Sequence, residues 1–219
     1  MDPEKGLRDI MVGTAVIAHQ RRLFDDFFKI DELMVAHLQN DGTMSSVQRR
    51  LVFERGDSVA VLLFNRDQRT VVLVEQFKVP RLWLPAGATI HYRRLAGGNA
   101  CRMIDSGETP QAAAIRETLE ETGYRIATPE LIGRFFASPG GTLERVFLHF
   151  AEVTGADRIG AGGGIDDEDV KVLEIAVDQL FEQLADGLIE DPKLAIAAYG
   201  CRTDYAHRAE AAARAQVTS

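Results

Sequence analysis

Cysteine is scarce in this chain, which has only Cys101 and Cys201 among its 219 residues. Two cysteines are too few for a disulfide framework or for a zinc site built on thiolates. A reducing compartment agrees with this scarcity, and we expect a cytoplasmic protein. The five histidines show no spacing of metal ligands or of a catalytic triad, which disfavours a zinc hydrolase and a Ser-His-Asp hydrolase.

Long apolar runs and a surplus of positive charge are also missing. The longest apolar stretch near the start, Ile10 to Ala18, has nine residues and is too short to cross a bilayer. Asp2 and Glu4 precede it in place of a basic segment, so we expect no signal peptide and no membrane association. A net charge of -8 argues against a broad nucleic-acid surface, because phosphate binding needs a basic patch.

Strand-like segments separated by turn residues predict two hairpins in the first third of the chain. The first hairpin joins Phe28–Leu38 to Val47–Phe53 through the turn Asn40-Asp41-Gly42. The second joins Val59–Phe64 to Thr70–Val74. The chain has no internal repeat and no low-complexity linker, so these hairpins belong to a folded domain.

Two segments before residue 108 show no regular pattern of secondary structure. Residues 1–27 have no clear pattern, and we interpret residues 79–107, rich in Gly and Arg, as a loop. Thr109-Pro110 then opens a helix that Gly123 closes, because these residue types favour the two helix ends. The elements expected next are strands at Leu131–Phe136, Val146–Val153 and Val170–Val177, and helices at Asp178–Leu188 and from Asp191-Pro192. Mixed strands with few helices predict an α+β domain.

Three glutamates share one face of the helix expected after Thr109. Glu117, Glu120 and Glu121 stand at i, i+3 and i+4. The residues on the opposite face, which we expect to pack inward, are Ala112, Ile115 and Leu119. Clustered carboxylates repel each other unless a cation lies among them, and Mg²⁺ is typically shared between carboxylates and phosphates. Alone, the same pattern also fits a solvated helix surface.

The residues around these glutamates favour the metal interpretation. Glu108-Thr109-Pro110, followed by Arg116 to Gly123, resembles the Nudix box, G-x5-E-x7-R-E-U-x-E-E-x-G-U. Glu108 stands at the first Glu of that box, and Tyr124 fills its last apolar position. The resemblance implies a Nudix fold, in which a mixed β-sheet lies between helices.

The same resemblance implies roles for the residues of the box. Glu117 and Glu121 bind Mg²⁺, or alternatively Mn²⁺, and Glu120 lies beside them as a ligand or a support. Arg116 holds the glutamates in place by ion pairing. The metal lowers the pKa of a bound water and neutralises charge on the phosphates of the substrate.

Three further segments resemble the nucleoside diphosphate sugar pyrophosphatases within this family. They are Val74–Lys78, Ser138–Gly141 with Glu144, and Gly162–Asp169. The last segment is similar to a G-G-G-V-E-D-E-D loop of GDP-mannose pyrophosphatases, and ADP-ribose pyrophosphatases share much of the pattern. The resemblance implies hydrolysis of a nucleotide sugar of one of these types to a nucleoside monophosphate and a sugar phosphate. The alternative is a catalytically impaired module that binds a sugar nucleotide.

Matching positions within these segments carry further roles over to this chain. Glu168 is a third metal ligand or positions the attacking water, Arg55 and Lys78 contact phosphate or sugar, and Glu144 contacts the sugar nucleotide. Lys78 replaces an Arg, so a bidentate phosphate contact would be lost there. Each of these residues also has a simpler interpretation as a solvated surface charge.

Three regions follow from this comparison. Residues 1–56 form N-terminal strands, for which the resemblance implies a role in a homodimer. Residues 57–200 form the Nudix domain, and residues 201–219 form a polar, Ala-rich tail.

The chain departs from the box at its start. Arg102 stands where the box begins with Gly, and Cys101 stands where relatives have a small residue whose carbonyl helps to bind metal. Glycine permits close backbone approach and positive φ, and arginine does not. The chain also has no acidic residue between Gln76 and Asp105. Metal binding is therefore expected to be weaker than an intact box would give.

Two explanations of this departure stay open. Residues 88–102 are an insertion that loops out into solvent after Leu84-Pro85-Ala86-Gly87, which resembles the lead into the box. Alternatively, a compensated frameshift lies between Pro80 and Met103. Reading the codons of Arg93–Arg102 one base later permits A-G-W-L-x-E-T-P-A-G, the pattern of relatives, and the nucleotide sequence decides between the two.

Overall fold

The structure of the protein is a computed structural model that describes residues 14–76, 97–98, 100–164 and 170–201. The chain divides into two compact units. Met1–Asp57 and Phe136–Arg145 form the first unit, and Ser58–Phe135 and Val146–Ser219 form the second. No helix among the described residues is long and apolar enough to cross a membrane.

The first unit contains a three-stranded antiparallel sheet in the order β1-β2-β3. Its strands are β1 (Ala15–Asp25), β2 (Lys29–His37) and β3 (Gln48–Glu54). The hairpin of β2 and β3 confirms the prediction from the first alternating pattern, and Gly42 in its turn has a φ of 82°. A positive φ at this position of the turn favours glycine, which explains why Asn-Asp-Gly predicts the turn so strongly.

Charged side chains pair β1 with β2. Arg21 donates to Glu32 at 2.9 Å, and Arg22 forms two hydrogen bonds with Asp31. These hydrogen bonds lower the pKa of Asp31, and Arg49 on β3 does the same for Glu32. Strand β1 was not predicted for residues 1–27, because most of its residues are exposed and the strand is held by these cross-strand pairs rather than by a buried apolar face.

The second unit is built on a mixed sheet with the order β10-β5-β4-β9-β8, in which β6 pairs with β5 and β7 with β4. The strands are β4 (Ser58–Asn65), β5 (Thr70–Gln76), β6 (Gly97–Gly98), β7 (Ala100–Met103), β8 (Glu130–Phe136), β9 (Arg145–Val153) and β10 (Val170–Ala176). The helices are α1 (Pro110–Thr122), α2 (Val177–Ala185) and α3 (192–201). Strands β4 and β9 are parallel to each other, and β4 pairs antiparallel with β5 and β7. Strand β10 pairs antiparallel with β5.

Helices cover both faces of this sheet. Val59, Val61 and Leu63 of β4 belong to a core shared with Ala113 and Ala114 of α1. The alternate β4 residues belong to a second core with α2 and α3, whose members include Ala60, Leu62, Leu180, Leu184 and Leu194. A strand buried on both faces reads as a continuous apolar run, as β4 does. The predicted α+β class and the sheet between helices are both confirmed.

Strand β7 corrects the interpretation of residues 79–107 as a loop. Residues 100–103 pair antiparallel with β4, and Arg102 lies opposite Val59 and Cys101 opposite Ala60. Ala and Gly have low strand propensity, and pairing with a buried strand overrides it. Residues 77–96 and 99 lie outside the described residues. The hypothesis that all of 88–102 loops out into solvent is therefore wrong for residues 97–98, which pair with β5, and for residues 100–102.

Of the tail expected at residues 201–219, only Cys201 is described, and it belongs to α3. The helix expected from Asp191-Pro192 is confirmed by α3. Asp191 accepts hydrogen bonds from the amides of Lys193 and Leu194 at 2.8 and 3.2 Å, which stabilises the first turn of the helix.

Candidate active site

Helix α1 begins and ends where local chemistry predicts. The hydroxyl of Thr109 accepts a hydrogen bond from the Ala112 amide at 3.2 Å, and Pro110 occupies the first turn. Gly123 closes the helix with a φ of 75°, and its amide donates to the Leu119 carbonyl at 2.9 Å. These contacts satisfy main-chain groups that a helix leaves without partners at its ends.

The buried face of α1 is the face that carries glutamates, contrary to expectation. Glu117 is 0% exposed and Glu121 is 2% exposed, whereas Leu119 is 38% exposed. The buried residues of the helix are Ala113, Ala114, Glu117, Thr118, Glu121 and Thr122. Of the three residues predicted to pack inward, Ile115 is partly buried against the core, but the prediction is wrong for Ala112 and Leu119, which are exposed. The small side chains of Ala113 and Ala114 bring the helix onto the sheet along its other face.

Burying two carboxylates one helical turn apart is costly for folding. A carboxylate moved into the interior loses several kcal/mol of hydration, and two like charges repel each other. Arg116 offsets part of this cost by contacting Glu117. A cation between Glu117 and Glu121 would offset more of it, which makes this buried pair a candidate for metal binding.

Arg116 forms ion pairs with the neighbouring glutamates. Its guanidinium donates to Glu108 through two atoms, at 3.1 and 2.8 Å, and to Glu120 at 3.2 Å. It also contacts Glu117. The hydrogen bond to Glu108 raises the pKa of Arg116, and the same contact holds the pKa of Glu108 below its usual range. Because one guanidinium pairs with three carboxylates, the cluster of Arg116 and these glutamates keeps a net negative charge, which favours the binding of a cation.

The oxygen donors of α1 suit a hard cation such as Mg²⁺, which takes carboxylate ligands. Glu117 and Glu121 supply two of them. Within the described ranges, no three His, Cys, Asp or Glu side chains come together as a complete metal site. Glu168, the expected third ligand, lies outside those ranges. Cys101 lies in β7, and α1 packs against that strand.

Two of the expected substrate-binding residues meet in the first unit. The guanidinium of Arg55 lies 3.6 Å from the carboxylate of Glu144 and 5.7 Å from the centre of the Phe28 ring. Lys78 lies outside the described residues. A cavity of about 380 Å³ in the same unit is lined by Glu54, Gly56, Asp57, Phe136, Leu143 and Arg145. The sequence comparison gave no sign of the aromatic contact of Arg55.

A hydrogen-bonded group at the end of α1 was also not foreseen. The hydroxyl of Tyr124 donates to Glu174 on β10 at 2.7 Å, and the hydroxyl of Thr70 donates to the other oxygen of Glu174 at 2.9 Å. Burial raises the pKa of Tyr124, and the Glu174 carboxylate raises it further. The signal in the sequence was a residue with a hydroxyl group, Tyr124, at the last apolar position of the box.

Known proteins resemble this chain in the region that carries these features. The NUDIX domain family matches residues 54–195. GDP-mannose pyrophosphatase of Cronobacter sakazakii is 33% identical over 174 residues, which is 78% of this chain and 86% of the relative. GDP-mannose pyrophosphatases of an Enterobacter species and of Klebsiella pneumoniae are 32% and 35% identical over 82% and 80% of this chain, covering 91% and 84% of those relatives.

The chain therefore belongs to the Nudix hydrolase family. The prediction of an enzyme that acts on pyrophosphate bonds is confirmed by this membership together with the similarity to curated pyrophosphatases. The part of the family that it resembles is the group of nucleotide-sugar pyrophosphatases.

Proposed function

We propose that this protein hydrolyses the pyrophosphate bond of a nucleoside diphosphate sugar with the help of Mg²⁺, with Mn²⁺ as a substitute. GDP-mannose is the first candidate substrate, because the relatives quoted above are named for it, and ADP-ribose is the second. The observation that supports this proposal most is the buried pair Glu117 and Glu121 on the inward face of α1. Our prediction of a cytoplasmic location stays a prediction.

The reaction adds water across one phosphoanhydride bond. The water oxygen bonds to a phosphorus atom, the bond from that phosphorus to the bridging oxygen breaks, and a nucleoside monophosphate and a sugar phosphate leave. A bound divalent metal would supply charge neutralisation and a water of lowered pKa. Glu117 and Glu121 would hold it, with Glu168 as third ligand or water-positioning group and with the carbonyl of Cys101 nearby.

The remaining residues of the α1 cluster position these ligands. Arg116 contacts Glu108, Glu117 and Glu120 at once, so it fixes the direction in which each carboxylate points. Bidentate guanidinium–carboxylate pairs are geometrically specific, which makes lysine a poor substitute at this position. We assign Arg116 and Glu120 to support of the metal site.

Substrate contacts are proposed for Arg55, Lys78 and Glu144. Arg55 lies against Phe28 and Glu144, so its guanidinium is already oriented before substrate binds. Oriented guanidinium groups bind phosphate with a smaller loss of side-chain entropy than free ones. The Arg55–Glu144 pair thus supports a role for both residues in holding the nucleotide sugar.

A homodimer formed through residues 1–56 is part of the proposal. Large apolar side chains on the three-stranded sheet are solvent-exposed in the single chain, among them Ile17 at 56%, Phe24 at 51% and Leu51 at 48%. Exposed apolar side chains of this size on a small sheet favour contact with a partner. The partner that fits the proposal is a second copy of the chain.

Arg102 favours a second candidate function, a module that binds a sugar nucleotide without cutting it. An experiment with a panel of nucleotide sugars separates the two. The protein is incubated with GDP-mannose, ADP-ribose and related compounds, and binding by calorimetry is compared with release of nucleoside monophosphate in Mg²⁺. We expect release from at least one compound. Binding without release in either Mg²⁺ or Mn²⁺ identifies the binding module.

A further inference from the structure

A loop of the first unit, residues 137–144, runs beside the end of β3. Phe53 pairs with Thr142 in a parallel β-bridge. The amide of Phe53 donates to a loop carbonyl at 2.8 Å, and the carbonyl of Phe53 accepts from a loop amide at 3.0 Å. Arg55 and Glu144 each stand two residues beyond this bridge, which brings their side chains together.

The ion pair of Arg55 and Glu144 is too long to orient the Glu144 carboxylate by itself. Nε of Arg55 lies 3.6 Å from a carboxylate oxygen of Glu144, which is beyond the range of a hydrogen bond. This nitrogen is buried and has no hydrogen-bond partner in the part of the chain that the structure describes. Contacts elsewhere in the loop therefore have to hold Glu144 at this distance from Arg55.

A second ion pair lies directly beside the first. Arg145 follows Glu144, and Asp57 stands two residues after Arg55. One carboxylate oxygen of Asp57 accepts hydrogen bonds from the main-chain amide of Arg145 at 3.0 Å and from its Nε at 3.1 Å. The other oxygen accepts from Nη2 of the same guanidinium. The side-chain hydrogen bonds hold the pKa of Asp57 below its usual range, so the carboxylate is charged at neutral pH.

Stability alone is a poor explanation for the pair of Asp57 and Arg145. Their side chains are 25% and 45% exposed, and ion pairs with this exposure contribute little to the free energy of unfolding. A guanidinium that meets a carboxylate through two nitrogens is geometrically specific. The Arg145 amide belongs to the planar peptide bond that follows Glu144, so the bond from this amide to Asp57 also limits where Glu144 lies.

We propose that Asp57 and Arg145 are positioning residues for the nucleotide sugar, because their ion pair holds Glu144 in its place beside Arg55. The inference rests on the proposed function, in which Arg55 and Glu144 contact the substrate. Loss of the pair releases the peptide bond after Glu144 and allows the carboxylate to leave Arg55. Substrate affinity should fall, whereas the glutamates of α1 belong to the other unit and should bind metal as before.

The test is Asp57→Asn, measured by steady-state turnover of GDP-mannose, or of ADP-ribose if the panel selects it. Asparagine keeps an oxygen for the Arg145 amide and loses both the charge and the acceptor for Nη2. We expect KM to rise at least about tenfold, as for weakening one hydrogen bond to a charged group, while kcat changes much less. The Mg²⁺ concentration that half-saturates turnover should stay that of the parent.

A double-mutant cycle with Glu144→Gln separates positioning from a general loss of structure. If Asp57 acts through Glu144, the double variant has the KM of Glu144→Gln alone, because no carboxylate is left to position. A general structural effect multiplies instead. The KM of the double variant then exceeds that of Glu144→Gln by the factor that Asp57→Asn shows in the parent.

Asp191→Asn is the matched control. Asp191 also accepts hydrogen bonds from main-chain amides and from a cation, in this case Nζ of Lys193 at 2.9 Å. Its side chain is 27% exposed, close to the value for Asp57. It lies at the start of α3 in the second unit. We expect Asp191→Asn to lose a comparable amount of stability in thermal unfolding and to keep the KM of the parent.

The outcomes separate the inference from the function on which it rests. An unchanged KM in Asp57→Asn, an equal rise of KM in Asp191→Asn, or multiplying effects in the cycle overturns the positioning role and leaves the proposed function standing. A parent protein that hydrolyses no nucleotide sugar overturns both. If Asp57→Asn does not fold, Arg145→Lys replaces it, because lysine keeps the charge and the main-chain amide but cannot form the two-nitrogen contact. The same results in the same cycle then decide.

Discussion

Replacing Glu121 by Gln should make the metal-free protein more stable and the enzyme much slower. Glu121 is 2% exposed, and Glu117, one helical turn away, is 0% exposed. The substitution keeps the size of the side chain and removes one of two buried like charges. An ordinary buried side chain that serves packing alone would show no gain in stability when it is changed in this way.

The magnitude follows from the spacing on α1. Side chains one turn apart are separated by roughly 6 Å, where two unit charges repel by about 3 kcal/mol at an effective dielectric constant of about 20. For a chain of this length, 1 kcal/mol moves the Tm by about 2–4 °C. Arg116 contacts Glu117 and offsets part of this repulsion. We therefore expect the Tm of Glu121→Gln without metal to rise, but by less than the roughly 6–12 °C that the full repulsion would give.

Adding Mg²⁺ should make the parent more stable than Glu121→Gln, the reverse of their order without metal. A ligand that binds the native state at a hundred times its Kd stabilises it by about 2.7 kcal/mol. The parent gains this in Mg²⁺, and Glu121→Gln gains little because it has lost a ligand. Turnover should fall roughly a hundredfold, as expected when a metal-based electrostatic contribution is removed.

The assay is thermal unfolding of both proteins in EDTA and in a series of Mg²⁺ concentrations, with turnover measured on the same samples. Glu182→Gln is the matched control, because Glu182 is an exposed glutamate on α2. The control should change neither Tm nor turnover. A Glu121→Gln variant that is less stable than the parent in EDTA, and that keeps the full Mg²⁺-induced rise in Tm, would refute the reasoning.

Three further predictions follow from the fold. The protein should be a homodimer that depends on residues 28–53, and a monomer by light scattering at micromolar concentration contradicts this. Deleting residues 88–102 should lower the stability of the domain, because residues 100–102 pair with β4. A repaired version that carries G-W-L-x-E-T-P-A-G before Met103 should bind Mg²⁺ more tightly than the parent. Equal Mg²⁺ dependence of the parent and the repaired version would show that the segment does not impair metal binding. The folded-state pKa of Glu108 is lowered by Arg116, so this pair stabilises the protein above the usual glutamate pKa of about 4.3, and the contribution is lost as pH falls through the lower folded value. Arg116→Gln should therefore lose stability near neutral pH and lose less on acidification, and parallel pH profiles of the two proteins count against the pair.

The ends of α1 could be predicted because they depend on local chemistry. Thr109, Pro110 and Gly123 each favour one position at a helix end through their own hydrogen bonds and backbone angles. The apolar run Val59–Phe64, followed by Asn65-Arg66-Asp67, predicted β4 in the same way. Signals of this kind lie within a few residues of the feature that they predict.

The buried face of α1 could not be predicted from periodicity. The rule that charged residues face solvent assigned Leu119 to the interior and Glu117 to the surface, and the opposite is found. The rule fails here because Ala113 and Ala114 pack α1 onto the sheet along the face that carries Glu117 and Glu121. A candidate functional site is where such exceptions are expected. Strand β7 was missed for a different reason, since its pairing with β4 joins residues far apart in the chain.

We infer that the buried carboxylates of α1 serve Mg²⁺-dependent cleavage of a nucleotide sugar. The most direct test is the release of GMP and of a mannose phosphate from GDP-mannose, measured while Mg²⁺ is titrated into the parent, Glu117→Gln and Glu182→Gln. We expect equal amounts of both products from the parent and the control, none in EDTA, and at least about a hundredfold slower release from Glu117→Gln. Release that is independent of Mg²⁺, or equally fast in Glu117→Gln, would show that these carboxylates do not serve the reaction.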